Sequence, residues 1–484
     1  MNKYLLKIAE KIEKDRPHQE SALKQLERTN GLLLDHSPGS GKTRLYIRAI
    51  QEAQKKDPTG RSLVIAPASL TTNLQEQAKK LNINIDMSKV DSHSYEWARA
   101  HSDDLKKNKY LLAIADEAHR LRNFDTSTHK ELEDVFKNSH QRILGTGTTT
   151  YNHAHDIAPL VNLAAGKEVL PVGKAFDNEF VDKHSEQPSI LKRIMGASPI
   201  EVQKLKNKNK LSKVLKQHVN YYNTKEDASM KDKFPTEHER IIEVPMDSTQ
   251  ETIYKYLEGR LPFPLRMKVR MNLPLSKKES SQLNSFSSGV RQVSNSAKPF
   301  LPQYDHISPK VKAMVDSLHE KHINDKNFKG IVYSNYLEGG LKDYSRELTD
   351  RGITHSLYTG SMSKKEKDRA KDDYNSGKNK VMLISSSGAE GLDLKGTKLV
   401  QVMEPHHNDS KIKQVLGRGS RYGSHEALPE KERHVEFERY HSVFKPGMFG
   451  KAKSHSIDQY LHHHSKSKDE LSEEIKDLMR DNKK

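Results

Sequence analysis

The chain has 484 residues, 82 Lys+Arg against 65 Asp+Glu for a formal charge of +17, 33% hydrophobic and 30% charged residues, and no cysteine. The length implies two or three domains, the charge favours a polyanionic partner, and the missing thiols exclude disulfides, thiol catalysis and thiolate metal sites while suiting a reducing cytoplasm. No apolar run approaches the ~20 residues of a membrane helix, and the opening MNKYLLKIAEKIEKDRP reads as a charged amphipathic helix rather than a secretory signal, so no membrane partner is expected.

Short apolar runs then alternate with helical stretches. Gly31–Leu34, Ser62–Ala66, Tyr110–Ala115 and Arg142–Leu144 read as buried strands in the first half, and 330–333, 381–384 and 399–403 do so in the second. Continuous apolar runs separated by helices predict parallel sheets built from βαβ units. The fold class is therefore α/β, with two blocks at 1–225 and 305–445. Residues 226–304, which include a Ser/Asn-rich stretch at 272–298, read as a linker or helical insertion. Residues 446–484 read as a C-terminal helical tail.

The strand at Gly31 runs into His36-Ser37-Pro38-Gly39-Ser40-Gly41-Lys42-Thr43, and Leu45, Ile47, Ile50 and Ala53 follow at helical spacing. This is a P-loop, in which a glycine-rich turn surrounds phosphates with backbone N–H groups at a helix N-terminus. Pro38 to Thr43 form the ATP cradle; Lys42 is expected on the β/γ-phosphates and Thr43 on Mg²⁺. His36 stands where the motif has its first glycine, and a chance Gly-Lys-Thr after a strand is the bland alternative. A second feature counts against chance: the apolar strand from Tyr110 ends in Asp116-Glu117-Ala118-His119. An acid at a strand's C-terminal end beside a P-loop can hold Mg²⁺, and its neighbour can orient the attacking water, so Asp116 is assigned to the metal and Glu117 to the water.

From Asp116 to Asn123 (DEAHRLRN) the chain resembles the superfamily-two helicases, most closely the Swi/Snf-type DNA-dependent ATPases, and the resemblance runs along nearly the whole chain in order. It implies two RecA-like lobes with ATP in the cleft between them. Arg16-Pro17-His18-Gln19 matches the segment whose glutamine contacts adenine, which assigns Gln19. Leu63–Leu70 and Gly145-Thr146-Gly147-Thr148 match motifs tied to the nucleic-acid backbone and to coupling. Ser385–Leu394 resembles the loop joining DNA to nucleotide, which brings in Gly391 and Asp393. Gln414–Arg421 resembles the arginine-finger motif, which assigns Gln414, Arg418 and Arg421. The stretches 403–408 and 424–433 resemble versions from large DNA viruses and phages, which would place the protein in the host cytoplasm.

Translocation over any sequence relies on phosphate contacts, and the candidates are Ser69, Thr71, Ser92, His93, Ser387 and Gly388. Trp97, the single tryptophan, reads as core packing rather than a base-stacking platform. The lysines of 204–216 read as a solvated face, Arg266, Lys268 and Arg270 as a better nucleic-acid candidate, and the histidine runs lack a metal-ligand partner set. The expected activity is ATP-driven translocation on duplex DNA or remodelling of DNA structures and protein–DNA complexes. A strand-separating DNA or RNA helicase and a viral transcription-associated factor are the alternatives, with replication, recombination or transcription proteins as partners.

Overall fold

The computed structural model describes residues 15–67, 74–147, 153–186, 200–304, 306–386, 392, 394–405, 417, 419–445, 454–465 and 470–481. Its strands are β1 (Gly31–His36), β2 (Ser62–Ala66), β3 (Val90–Ser94), β4 (Leu112–Asp116), β5 (Gln141–Thr146), β6 (Val181–Glu186), β7 (Ile200–Leu205), β8 (Val219–Tyr222), β9 (Thr236–Pro245), β10 (Gly330–Ser334), β11 (His355–Tyr358), β12 (Val381–Ser385), β13 (Leu399–Val402) and β14 (His434–Val443). Two six-stranded sheets result, ordered β3-β2-β4-β5-β1-β8 and β11-β12-β10-β13-β14-β9, with β6 and β7 as a separate ribbon. All pairings in both six-stranded sheets are parallel.

Strand geometry explains the continuous apolar runs. Successive side chains point to opposite faces, and helices cover both faces of each sheet. Leu33, Leu63, Ile65, Ala113, Ala115 and Leu144 enter one core of the first sheet. Leu32, Leu34, Val64, Leu112, Ile114 and Ile143 enter the other. In the second sheet Val332, Val381, Leu383 and Leu399 face one core, while Ile331, Met382, Ile384 and Val400 face the other. Each such side chain contributes ~1.5–3 kcal/mol on burial, so these central strands have no tolerant face.

The chain divides into two compact units, 1–183 with 203–228 and 470–484, and 184–202 with 229–469. This differs from the four-segment division. Residues 226–304 do not stand apart as a linker, because β9 is the edge strand of the second sheet and pairs with β14 over ten residues. The Ser/Asn-rich stretch folds as the helix Lys277–Asn295, started by a capping box between Ser276 and Glu279. Its polar residues are satisfied inside: Ser294 Oγ donates to Val290 O at 2.9 Å, and Asn295 Nδ2 donates to Glu404 Oε2 at 2.8 Å. A low-apolar composition therefore conceals a buried helix. The tail also splits. The helix Ile457–Ser465 joins the core of the insertion through Ile457, Tyr460 and Leu461, whereas the helix Glu470–Asp481 packs Ile475 and Met479 into the first unit.

Candidate active site

The P-loop turns on two glycines in the left-handed region, Gly39 at φ 80° and Gly41 at φ 84°, which a Cβ would strain. Helix α1 (Pro17–Thr29) meets that turn. Gln19 Nε2 donates to Gly41 O at 3.1 Å, His18 Nε2 lies 2.8 Å from Ser40 O, and the His18 ring stacks on Tyr222 at 3.6 Å. A Cβ on Gly41 would sit 2.6 Å from Gln19 Nε2, so glycine is also needed for this approach. His36 Nε2 lies 2.8 Å from Asn220 Oδ1, tying β1 to β8; the residue that departs from the motif has become a buried cross-sheet anchor.

Helix α2 (Lys42–Lys56) starts directly after Gly41. Lys42 Nζ donates to His36 O at 2.7 Å and reaches Ser37 O at 3.5 Å, so the ammonium is held inside the loop where phosphate oxygens would sit. Thr43 is exposed in the first turn of α2, and Pro38 and Gly39 are exposed on the loop, whereas Ser40 is buried. The first turn of α2 carries no acidic side chain, which leaves its N-terminal dipole available to an anion.

Asp116 closes β4, the strand next but one to β1 in the sheet. Tyr46 Oη donates to Asp116 Oδ1 at 2.9 Å and Tyr95 Oη donates to Asp116 O at 2.8 Å. Burial and the neighbouring Glu117 charge push the Asp116 carboxyl up, against the opposing pull of Lys42 and the Tyr46 hydroxyl. Two adjacent carboxylates, one raised by the other, form a donor set that a divalent cation would stabilise. The Asp116 carboxylate and the Thr43 hydroxyl are oxygen donors of the kind Mg²⁺ takes. Glu117 adopts φ 52°, ψ 45°, unusual for a side chain with Cβ, and its Oε2 lies 3.3 Å from His119 Nδ1.

Tyr46 and Tyr95 are site residues that motif reading missed, and Gly145, read there as part of a coupling motif, has a packing role beside them. A Cβ on Gly145 would come within 1.7 Å of Tyr46 Oη, so the glycine of Gly145-Thr146-Gly147 makes room for the hydroxyl that holds Asp116. A buried-face tyrosine three residues after Thr43 was the available signal.

Ser92 and His93 lie within β3, the edge strand of the first sheet. Trp97 is not in the core. It is 39% exposed, with His93 stacked on it at 3.6 Å and His101 at 4.1 Å. Its N-terminal position on a short helix capped by Ser94 leaves both ring faces to neighbouring imidazoles. Of the lysine run, Lys204 lies in β7 and the lysines from Lys208 to Lys216 lie on the helix Lys208–His218, which buries Leu211 and Leu215; Lys208 pairs with Glu474 at 3.0 Å. Lys268 and Arg270 are not open to nucleic acid. Lys268 pairs with Glu279 at 2.7 Å and Arg270 with Glu258 at 2.5 Å, while Arg266 has no carboxylate partner among the described residues.

Arg421 belongs to the second unit, on a segment clamped to β9 and β13. Ser424 N and Oγ both donate to Arg421 O, Ser420 Oγ donates to Glu237, and Gly423 N donates to Lys233 O at 2.9 Å. A Cβ on Gly419 would sit 2.9 Å from Val400 Cγ2, so this segment lies flat on β13. Ser69, Thr71, Ser387, Gly388, Gly391, Asp393, Gln414 and Arg418 lie outside the described residues.

Residues 76–298 match the SNF2-related domain, residues 309–423 the helicase conserved C-terminal domain, and residues 12–97 the res subunit of type III restriction enzymes. An Acanthamoeba polyphaga mimivirus protein whose name describes an ATP-dependent RNA helicase, L538, is 30% identical, with 94% of each chain covered. The termination factor NPH-I homologue of African swine fever virus (isolate Tick/Malawi/Lil 20-1/1983) is 26% identical over 94% of this chain and 76% of its own. The helicase domain of Pyrococcus furiosus Hef shares the fold, with a TM-score of 0.50 at 15% identity over 88% of this chain and 95% of that one. Helicase and ATPase domains of this kind imply the use of ATP. With a P-loop, a carboxylate pair and two parallel sheets in one chain, the protein belongs to the Swi/Snf-type superfamily-two helicases and is a nucleic-acid-dependent ATPase.

Proposed function

We propose that the protein couples ATP hydrolysis to movement along duplex DNA, remodelling DNA structures or protein–DNA complexes. The observation that carries this reading is the match of residues 76–298 to the SNF2-related domain, and the +17 charge is consistent with a phosphate track. In this reading Lys42 neutralises the β/γ-phosphates from its place in the loop, and Gln19 reads adenine beside Gly41. Glu117 orients and deprotonates the attacking water. Asp116, held by Tyr46, and Thr43 would hold Mg²⁺, which supplies charge neutralisation on the phosphates when bound. Arg421 and Arg418 stabilise charge on the transferred phosphoryl group, an effect worth ~10³–10⁵ in rate for an arginine finger. Arg421 belongs to the second sheet's unit and Lys42 to the first's. Ser92 and His93 belong to the phosphate track, and the setting is the host cytoplasm if the source is viral.

A second reading, a transcription-associated ATPase, is favoured by the African swine fever virus relative, whose name describes a termination factor. The mimivirus relative's name favours RNA as the substrate. Triplex displacement from duplex DNA tests the proposal: ATP-dependent displacement abolished by Lys42→Ala supports it. Hydrolysis stimulated by RNA with no displacement from DNA overturns it.

A further inference from the structure

The helical insertion carries an aromatic and cationic surface that the ATPase site does not use. The helix Ser248–Glu258 and the helix Phe263–Arg270 meet at a tight turn, in which Arg260 N donates to Leu257 O at 3.1 Å and Leu261 N donates to Glu258 O at 3.0 Å. Tyr254, Leu261, Leu265 and Val269 anchor this turn in a core shared with Leu283, Val290 and Ile457. Their neighbours point the other way: Tyr256 is 68% exposed and Phe263 is 65% exposed. Each ring carries a guanidinium, Arg260 lying 5.4 Å from the Tyr256 centroid and Arg266 5.5 Å from the Phe263 centroid. The two pairs are close, since a Cβ on Gly259 would sit 3.2 Å from Tyr256 O and 3.6 Å from an Arg266 terminal nitrogen.

The charge on this tip is positive. Its two helices contain only two acids, and both are engaged, Glu251 by Lys255 and Glu258 by Arg270. Neither Arg260 nor Arg266 has a carboxylate partner among the described residues. Two large aromatic rings exposed on one turn form an apolar patch, the kind of surface that marks an interaction site. Rings flanked by unpaired guanidinium groups match one polyanion well: a strand whose bases are unstacked and can lie on the rings while its phosphates meet the arginines. Duplex DNA offers phosphates but no free base faces.

We propose that Tyr256, Arg260, Phe263 and Arg266 form an accessory platform for single-stranded nucleic acid, separate from the duplex track. Such a platform presupposes a chain that works on nucleic acid, the reading proposed above. The full-length protein is titrated against fluorescent oligo-dT, oligo-U and a hairpin-closed DNA duplex by anisotropy, alongside duplex-stimulated ATP hydrolysis. Tyr256→Ala with Phe263→Ala is expected to weaken single-strand binding by at least ~10-fold, from the stacking of two bases, while duplex affinity and duplex-stimulated hydrolysis stay within about twofold. Arg260→Gln with Arg266→Gln is expected to flatten the single-strand log K against log salt slope by about 1.4, at ~0.7 per phosphate contact. The stronger of the dT and U arms identifies DNA or RNA as the strand. Unchanged single-strand affinity in both variants, with duplex stimulation intact, overturns the platform alone and leaves the surface to a protein partner. Equal losses on duplex and single strand overturn it as a single-strand site. A wild-type protein that binds and responds to no nucleic acid overturns the function proposed above.

Discussion

Replacing Lys310 by Met removes the cation from the most buried ion pair of the second unit among the described residues. Lys310 is 1% exposed; its Nζ donates to Asp458 Oδ2 at 2.7 Å, Met403 O at 3.0 Å and Asn295 Oδ1 at 3.1 Å. These bonds join four pieces of chain: the helix Pro309–Asn324, the end of β13, the insertion helix and the helix Ile457–Ser465. Methionine fills the stem's space but leaves the Asp458 carboxylate, itself fully buried, with Ser442 N–H at 3.0 Å as its remaining donor. Breaking a buried pair from one side costs ~3–5 kcal/mol, because an uncompensated charge stays inside. At ~2–4 °C per kcal/mol for a unit of this size, the second unit should melt ~6–20 °C lower. Lys310→Met combined with Asp458→Leu removes both charges and should recover most of that loss. Calorimetry of wild type, both single variants and the double variant closes the cycle. A Lys310→Met protein that melts within ~2 °C of wild type, or a double variant no more stable than the single, would refute the reasoning. The same bonds fix Met403 and, through Asn295, Glu404, from which the chain runs into the segment that ends at Arg421, so lost stability should bring lost turnover.

Gly145→Ala should drive a methyl group into Tyr46 Oη, cost ~1–3 kcal/mol by overpacking and release Asp116 from its donor; wild-type melting and turnover together would contradict it. Glu117→Gln should bind ATP in an equilibrium assay yet turn over at least ~10²-fold more slowly, and Arg421→Ala should melt normally and lose hydrolysis. His441 is buried, and burial, with His462 and Lys310 nearby, pulls its imidazole from 6.5 down to about 2. The unfolded chain then takes up a proton near pH 6.5 that the folded chain refuses, so its stabilising contribution is full above pH 6.5 and falls as the pH drops towards 2. Between pH 7.5 and 5.5 this residue accounts for ~1.4 kcal/mol of lost stability, and His441→Gln should flatten the melting profile by that amount.

The strands legible in the sequence are those buried on both faces by aliphatic side chains, such as β1, β2, β10 and β12. β3, with Asp91-Ser92-His93-Ser94, and β9, exposed along most of its length, carry too few apolar residues to stand out. β14 is buried along most of its length yet reads as polar, because Glu438, Arg439 and His441 lie inside it. Gln401 Nε2 and Tyr440 Oη satisfy the Glu438 carboxylate at 2.8 and 2.7 Å, a long-range arrangement that no local pattern announces. The same holds at the candidate site. Lys42, Thr43, Asp116 and Glu117 were readable because a P-loop and a strand-end acid pair are local motifs. Tyr46 was not, and the Gly145 motif did not announce its packing role, because both lie in a contact between a helix and a strand about 100 residues apart. Trp97 misled for a related reason: hydrophobicity suggested the core, while the imidazoles of His93 and His101 hold it at the surface.

The central claim is tested most directly by steady-state ATP hydrolysis with no nucleic acid, single-stranded DNA, duplex DNA and RNA, with Lys42→Ala as control. The account predicts stimulation chiefly by duplex DNA, weakening as salt rises, and no turnover in the Lys42→Ala protein. Turnover indifferent to every nucleic acid, or stimulated by RNA alone, would contradict it.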